Sequence, residues 1–529
     1  MSAQHTRRAV LGAGIALAGT GVLTACSGGT SGGTASGAKT GDRFVSPDGK
    51  EVAAAEAERG SGPVRKVSLT ATPARLDLGG GRTVGSWAYG DRLPGAEVRV
   101  TAGDTLALTL ANHLPQPTSL HWHGLALRND MDGVPGLTQR NIAPGADFAY
   151  RFAVPHPGTY WFHPHSGVQQ DRGLYAPLIV EDPREPLSYD SEWVVVLDDW
   201  VDGVDGSTPD AVLAELSKGM GEGEGDSGSD NGGMDHGEHD MSQMSARAEG
   251  DGPSRMMMGA TSELLGGDAG DVAYPYYLVN GRTPQSPSSF TARPGDRIRL
   301  RLINAGGDTA FRVALGGHRM TVTHTDGFPV RHTTTDALLL GMGERYDVLV
   351  TAGDGVFPLT VLAEGKKASA LALLRTGSGA APTASVRPKE LDGKLVTADR
   401  LVPDESVALA ARTPDRTIRI ALTGSMAAYD WAFDKKPYRA DQRHPVEAGE
   451  RVRLEFHNTT SMWHPLHLHG HTFALAGGAA GARKDTAVIL PKRPLTVDFD
   501  ADNPGLWMLH CHNVYHAEAG MMTVIGYRR

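Results

Sequence analysis

The chain has 529 residues, too long for one ordinary domain and long enough for about three. Hydrophobic residues make up 40% of it, which permits packed cores, and a formal net charge of -10 with no basic patch argues against nucleic acid as a partner.

At the N-terminus, Arg7-Arg8 precedes an apolar run over residues 10–23, which leads into Leu23-Thr24-Ala25-Cys26. The run is too short to span a bilayer as a mature helix and reads as an export signal. The paired arginines resemble a twin-arginine signal, and Leu-Thr-Ala-Cys resembles a lipoprotein cleavage box that would make Cys26 the lipidated first residue of the mature chain. An ordinary cleaved signal with an incidental cysteine is the alternative. Residues 1–26 are thus expected to be the signal, and 27–64, Ser/Gly-rich over 27–41, a flexible tether. A monomer outside the cytoplasm, held to the cell membrane by its lipid, is the expectation. Cys26 and Cys511 are the only cysteines, so with one lipidated and the other on a metal no structural disulfide remains.

Beyond the tether one pattern recurs: a Gly followed by an acid, alternating apolar residues, and an Asn nine positions after the Gly. It occurs as Gly103-Asp104 to Asn112, Gly295-Asp296 to Asn304 and Gly449-Glu450 to Asn458. A turn followed by period-2 alternation predicts a loop entering a half-buried strand. Copies this far apart predict three homologous β domains of Greek-key sandwich or barrel type rather than a short-repeat solenoid. Turn-rich stretches at 183–186 and 376–388 are the best linkers, which places the domains at 65–185, 186–385 and 386–529.

The copies also register histidines. Nine and eleven residues after Asn112 stand His121 and His123, and the same offsets from Asn458 give His467 and His469, whereas Asn304 leads to Val313 and Leu315. Pro157-Gly158 precedes His163 and His165 by the offset at which Pro504-Gly505 precedes His510 and His512. The first and third domains therefore carry matching half-sites, which close into one site only if those domains meet face to face. The middle domain reads as a spacer between them.

That middle domain contains a Gly-, acid- and Met-rich insertion over about 218–259, which holds seven of the chain's 16 methionines. Among them are Met234, Met241, Met244 and the triplet Met256, Met257 and Met258, accompanied by His236 and His239. Low hydrophobic periodicity predicts disorder. Thioethers and imidazoles are good ligands for Cu(I), so the segment reads as a copper-gathering lid, with a tolerated loop of drifted composition as the alternative.

Near the C-terminus, His510-Cys511-His512 is followed by His516 and Met521. On a strand, His510 and His512 share one face and Cys511 takes the other. A soft thiolate with imidazole and a weak thioether is the ligand set of a blue electron-transfer copper, and the flanking histidines place a second metal centre one residue away. Four His-x-His pairs are too many to explain as satisfied core histidines.

Two of these pairs lie in His-Trp-His-Gly at 121–124 and His-Pro-Leu-His-Leu-His-Gly at 464–470. With the His-Cys-His run they make the chain, from about Ser68 onward, resemble the three-domain bacterial multicopper oxidases of laccase-like and cuprous oxidase type, and among these the exported actinobacterial lipoprotein oxidases of copper resistance. The resemblance implies an all-β fold of three cupredoxin-like domains and four copper ions. By motif, His464, Cys511, His516 and axial Met521 would hold type 1 copper, and His121 and His467 type 2. His123, His163, His165, His469, His510 and His512 would hold the type 3 pair. Such an oxidase couples four one-electron oxidations to the reduction of dioxygen to two waters.

Asp132, in Asn-Asp-Met-Asp-Gly, matches the acid that family members place near type 2 copper; a turn aspartate before Gly133 is the alternative. Bacterial relatives often carry Glu directly after the second type 1 histidine, but here Ala517 follows His516 and Glu518 comes next, so which carboxylate relays protons stays open. Met462 matches a methionine near a relative's cuprous entry site, whereas the Asp that this relative places four residues before its type 1 histidine is Thr460 here. The expected substrates are dioxygen with Cu(I) or another small reductant, and the expected role is oxidation of Cu(I) to Cu(II) in detoxification. Laccase action on phenols or aromatic amines and ferroxidase activity are alternatives. A non-catalytic cupredoxin scaffold is disfavoured by the complete ligand set.

Overall fold

The computed structural model describes residues 44–219, 252–475 and 481–529. The expected signal with Cys26, and Met234, His236, His239, Met241 and Met244 of the insertion, lie outside the described residues.

Each Gly-to-Asn copy is a strand: Thr105–Asn112, Arg297–Asn304 and Arg451–Asn458. The three share one construction. Gly103, Gly295 and Gly449 turn at φ of 95°, 88° and 86°, a region open to glycine at no steric cost. The acid that follows accepts a backbone N–H three residues upstream, from Thr101 to Asp104, from Arg293 to Asp296 and from Glu447 to Glu450. At the far end Asn112, Asn304 and Asn458 each accept from the backbone N–H two residues on. Each amide also donates to two carbonyls, those of Gln116 and Ile142, Thr309 and Leu340, and Met462 and Leu490 respectively. A buried side-chain amide so fully bonded fixes the corner that leads to the next strand.

Each copy pairs in parallel with the strand that opens its domain, Val64–Gly79, Ser191–Trp200 or Arg416–Thr423. Among the described residues the first domain holds two four-stranded sheets, the middle domain two six-stranded sheets and a two-stranded ladder of Thr261–Ser262 with Gly267–Asp268, and the third a six-stranded and a five-stranded sheet. Strand neighbours that are not consecutive in the chain mark the Greek-key crossovers. Leu106, Leu108 and Leu110 from one sheet of the first domain share a core with Trp122, Phe162 and Leu178 from the other. The fold is all-β, as expected, with cupredoxin-like sandwiches.

Three boundaries differ from the sequence expectation. The tether expected over 27–64 does not extend through its described part, because the Ala/Glu-rich stretch Lys50–Arg59 is a helix that buries Val52. Glu56 accepts from the Ala153 N–H in the first domain, and Arg59 donates to Asn503 of the third at 2.7 Å. The third domain does not begin at 386. Leu395–Val396 adds to the middle domain's sheet beside Ala337–Leu340, and Val330 bridges Pro403, so the chain leaves that domain only before Arg416. The last part of the Met-rich insertion is also pinned. Arg255 N–H donates to Glu215, Met256 bridges Val272, and Met257 N–H donates to the Asp271 carbonyl at 2.7 Å.

Candidate metal centres

The two half-sites are built alike. Strand His121–His123 pairs with Gly158–His163 so that His121 faces His163, and His464–Leu468 pairs with Leu506–Cys511 so that His467 faces His510. Where the first and third domains meet, the pairs cross. His121 stacks on His469 and His123 on His467, both with ring centroids 3.7 Å apart. His165 lies 5.0 Å from His510, and His512 lies 4.8 Å from His123. All eight predicted histidines are thus in one interdomain cluster. Within it His121, His123 and His163, then His121, His467 and His469, then His165, His469 and His510, form groups whose ligand atoms lie within 4.8 Å of one another.

The ring nitrogens divide into held and free. Nδ1 of His121, His163, His467 and His510 sits on the carbonyls of Asp132, Pro164, Asp485 and Cys511 at 2.8–3.0 Å. His121, His163 and His467 leave Nε2 without a protein partner, and Nε2 of His469 and His510 face each other at 3.1 Å. A buried nitrogen without a partner is costly unless a ligand supplies the bond, so the residues fit metal ions. Burial holds the imidazoles of His123, His163, His165, His467, His469, His510 and His512 below their ordinary range, and crowding by neighbouring imidazoles adds to it. Neutral imidazole is the form that binds metal.

Asp132 is wholly buried within this cluster. Its Oδ2 lies 3.0 Å from Nδ1 of His469 and its Oδ1 3.2 Å from Nδ1 of His121, so one carboxylate touches an imidazole from each domain. It also closes the short helical turn Asn129–Met131. Glu518 is elsewhere. It sits in helix Val514–Ala519 and lines a cavity of about 380 Å³ that also reaches His165, Asp210, Met508 and Met522. Burial, helped by Asp210, pushes its carboxyl up to about 7.

A separate group, His464, Cys511 and His516, lies on the other face of strand Leu506–Cys511. Nδ1 of His464 and of His516 are 3.1 Å apart, with the Cys511 sulfur 3.6 and 3.7 Å from them. Asn513 caps the helix that carries His516 by accepting from the N–H groups of Tyr515 and His516. Met521 is fully buried, and its carbonyl accepts from the Cys511 N–H. Thr460 Oγ1 meets Nε2 of His464 at 2.9 Å, at the position where the resembling relative carries Asp, and Met462 is buried beside it in the same corner.

Sequence reasoning missed three residues. Asp271 of the middle domain holds Nε2 of His516 at 2.9 Å and accepts from Tyr429 OH. Burial alone would depress the His516 imidazole, but the Asp271 carboxylate brings it up to about 10. Asp485 touches His123 and His467, and Arg345 of the middle domain binds Asp485. Burial opposes the charge on Asp485, yet the Arg345 guanidinium holds its carboxyl well below the usual carboxylate range. The one local signal was Lys484-Asp485, two charges at the mouth of an apolar strand.

Residues 70–185, 191–379 and 411–528 each match the multicopper oxidase family. Multicopper oxidase MmcO of Mycobacterium tuberculosis is 48% identical, across 99% of this chain and 97% of its own. A copper resistance protein A homolog of Pseudomonas syringae pv. tomato is 29% identical, across 82% and 87%. The crystal structure of a laccase from Botrytis aclada superposes with a TM-score of 0.69 at 25% identity, covering 88% of each chain.

Proposed function

From the premise that the chain belongs to the multicopper oxidase family, and so is an oxidoreductase that uses copper and dioxygen, we propose that its reducing substrate is Cu(I). In this reading His464, Cys511, His516 and Met521 hold type 1 copper, and His121 and His467 hold type 2. His123, His163, His165, His469, His510 and His512 hold the type 3 pair. Bound there, the four coppers supply one-electron oxidation at the mononuclear site and four-electron reduction of dioxygen to water at the cluster.

The protein's own part is positioning. Strand Leu506–Cys511 puts Cys511 and His510 in successive residues on opposite faces, so the two centres are joined by covalent chain in a core that excludes water. Asp132 keeps Nδ1 of His121 and His469 engaged and is placed to hold a proton at the seam. Glu518, in the cavity that reaches His165, is placed to carry protons in from that side.

The observation that carries the substrate reading is the connection made by Asp271. Its carboxylate holds the outer nitrogen of His516 and its carbonyl holds the Met257 N–H, while Met258 next to it is 62% exposed. An anionic and thioether-bearing approach to a type 1 histidine suits a soft cation. A relative named for copper resistance adds support. Export by the twin-arginine route, a lipid on Cys26 and a monomeric state complete the proposal, since Cu(I) is then met outside the cytoplasm.

Oxygen consumption with Cu(I), Fe(II) and a phenol, on one preparation, tests the reading. The highest kcat/KM is expected for Cu(I); a higher value for the phenol would replace this reading with a laccase. Cys26→Ala is expected to move the protein from the membrane fraction to the soluble fraction.

A further inference from the structure

We propose that Asp485, clamped by Arg345 of the middle domain, is a positioning residue that dictates which ring nitrogen His123 and His467 present to the copper cluster. The inference rests on the ligand roles given above for those two histidines.

Asp485 stands just before strand Thr486–Ile489 and is wholly buried. Its Oδ1 lies 3.1 Å from Nε2 of His123 and 3.4 Å from Nδ1 of His467. Its backbone carbonyl lies 3.0 Å from the same Nδ1. Thr486 adds Oγ1 at 3.0 Å from Nε2 of His123 and donates its own proton to Asp485 Oδ1. A carbonyl and an ionised carboxylate only accept, so His467 turns its N–H to the Asp485 carbonyl with the carboxylate close behind, and His123 turns its N–H to the carboxylate. His123 then carries its proton on Nε2 and His467 on Nδ1, which leaves opposite nitrogens bare on two rings stacked at 3.7 Å and 10°.

The bare nitrogens point into the cluster. Nε2 of His467 has no protein partner, and Nδ1 of His123 lies 3.1 Å from Nε2 of His512. His121, His163 and His510 follow the His467 pattern, with Nδ1 on a backbone carbonyl. His123 is reversed, and Asp485 with Thr486 is the physical reason.

What fixes Asp485 comes from the domain that carries no ligand. Arg345 donates to Oδ1 at 2.7 Å and to Oδ2 at 2.6 Å, a fork that sets the plane of the carboxylate. The same guanidinium donates to the Thr159 carbonyl of the first domain and to Gly343 of its own. Asp326 accepts from the backbone N–H groups of Asp485, Thr486 and Arg345. The glycine of His-Trp-His-Gly is explained as well: a Cβ on Gly124 would sit 2.4 Å from Arg345 Nη2 and 2.6 Å from Asp485 Oδ2.

The test uses the full chain loaded with copper, reading copper per chain, blue absorption, the type 2 electron paramagnetic resonance signal and resistance to a copper chelator. Asp485→Asn and Arg345→Lys are expected to keep the blue absorption, to lose cluster copper to the chelator about 10- to 100-fold more readily, and to alter the type 2 signal. Cluster copper retained as tightly as in the parent, with an unchanged type 2 signal, overturns the proposal. Should Asp485→Asn not fold, Arg345→Lys alone decides, since it keeps the charge and removes the fork. His467→Ala is the reference. If it too retains the cluster copper, the ligand assignment fails; if it loses that copper while Asp485→Asn does not, only the positioning role fails.

Discussion

His464, Cys511 and His516 reach their site from the strands and one helix of a single domain, whereas the cluster takes four imidazoles from each side of a seam between two domains. The first site is as firm as the core beneath it. The second exists only while two domains stay docked, and groups of the middle domain stand behind both. Asp271 reaches the outer nitrogen of His516, and Arg345 and Asp326 hold Asp485 against His123 and His467. A domain without ligands can therefore govern each centre separately.

The sharpest way to separate the two centres is Cys511→Ser. It is expected to abolish blue absorption and reduce oxygen consumption to background, while the type 2 resonance signal persists. Gly343→Ala probes the other side. At φ of 85° a new Cβ would lie 2.9 Å from His123 Cε1 and 3.0 Å from His512 Cδ2, so cluster copper and turnover are expected to fall by about 10-fold or more with blue absorption kept. Asp271→Asn should leave copper content intact and slow reduction of the blue centre by Cu(I) about tenfold, read by stopped-flow bleaching. Unchanged bleaching would remove Asp271 from the substrate's path. The smallest effect is expected for Val52→Ala, about 1–2 kcal/mol of stability by thermal unfolding. Because the helix bearing Val52 bridges the first and third domains, cluster copper should be released at a lower temperature than the blue absorption is lost.

How much of this was legible in the sequence follows from the reach of each interaction. The three corner asparagines and the acids at the other ends of their strands each accept from a backbone N–H two or three residues away along the chain, so their spacing survives as a readable pattern. The histidine pairs were readable because each begins on a strand, which sends alternate residues to one face, although His165, His469 and His512 lie just past the strand ends. Leu395–Val396 was not readable, since two residues display no alternation and their place in the middle domain's sheet is set by a distant neighbour. Helix Lys50–Arg59 had the composition of a helix, but its docking depends on Ala153 and Asn503. Asp271 and Arg345 act on partners 245 and 140 residues away, and nothing in local spacing marks such pairs. A motif shows the ligands; what orients them is scattered through the chain.

The clamp around Asp485 also bears on when an oxygen-reducing centre can come into being. Arg345 needs the Thr159 carbonyl ahead of it and Asp485 behind it, and His510 lies in strand Leu506–Cys511 with His512 just past its end, ahead of the terminal helix and strand. A chain cut short before that strand holds the clamp and six of the eight imidazoles, but lacks His510 and His512 of the cluster and Cys511 and His516 of the other centre. Neither centre is therefore complete until that strand has been made and docked.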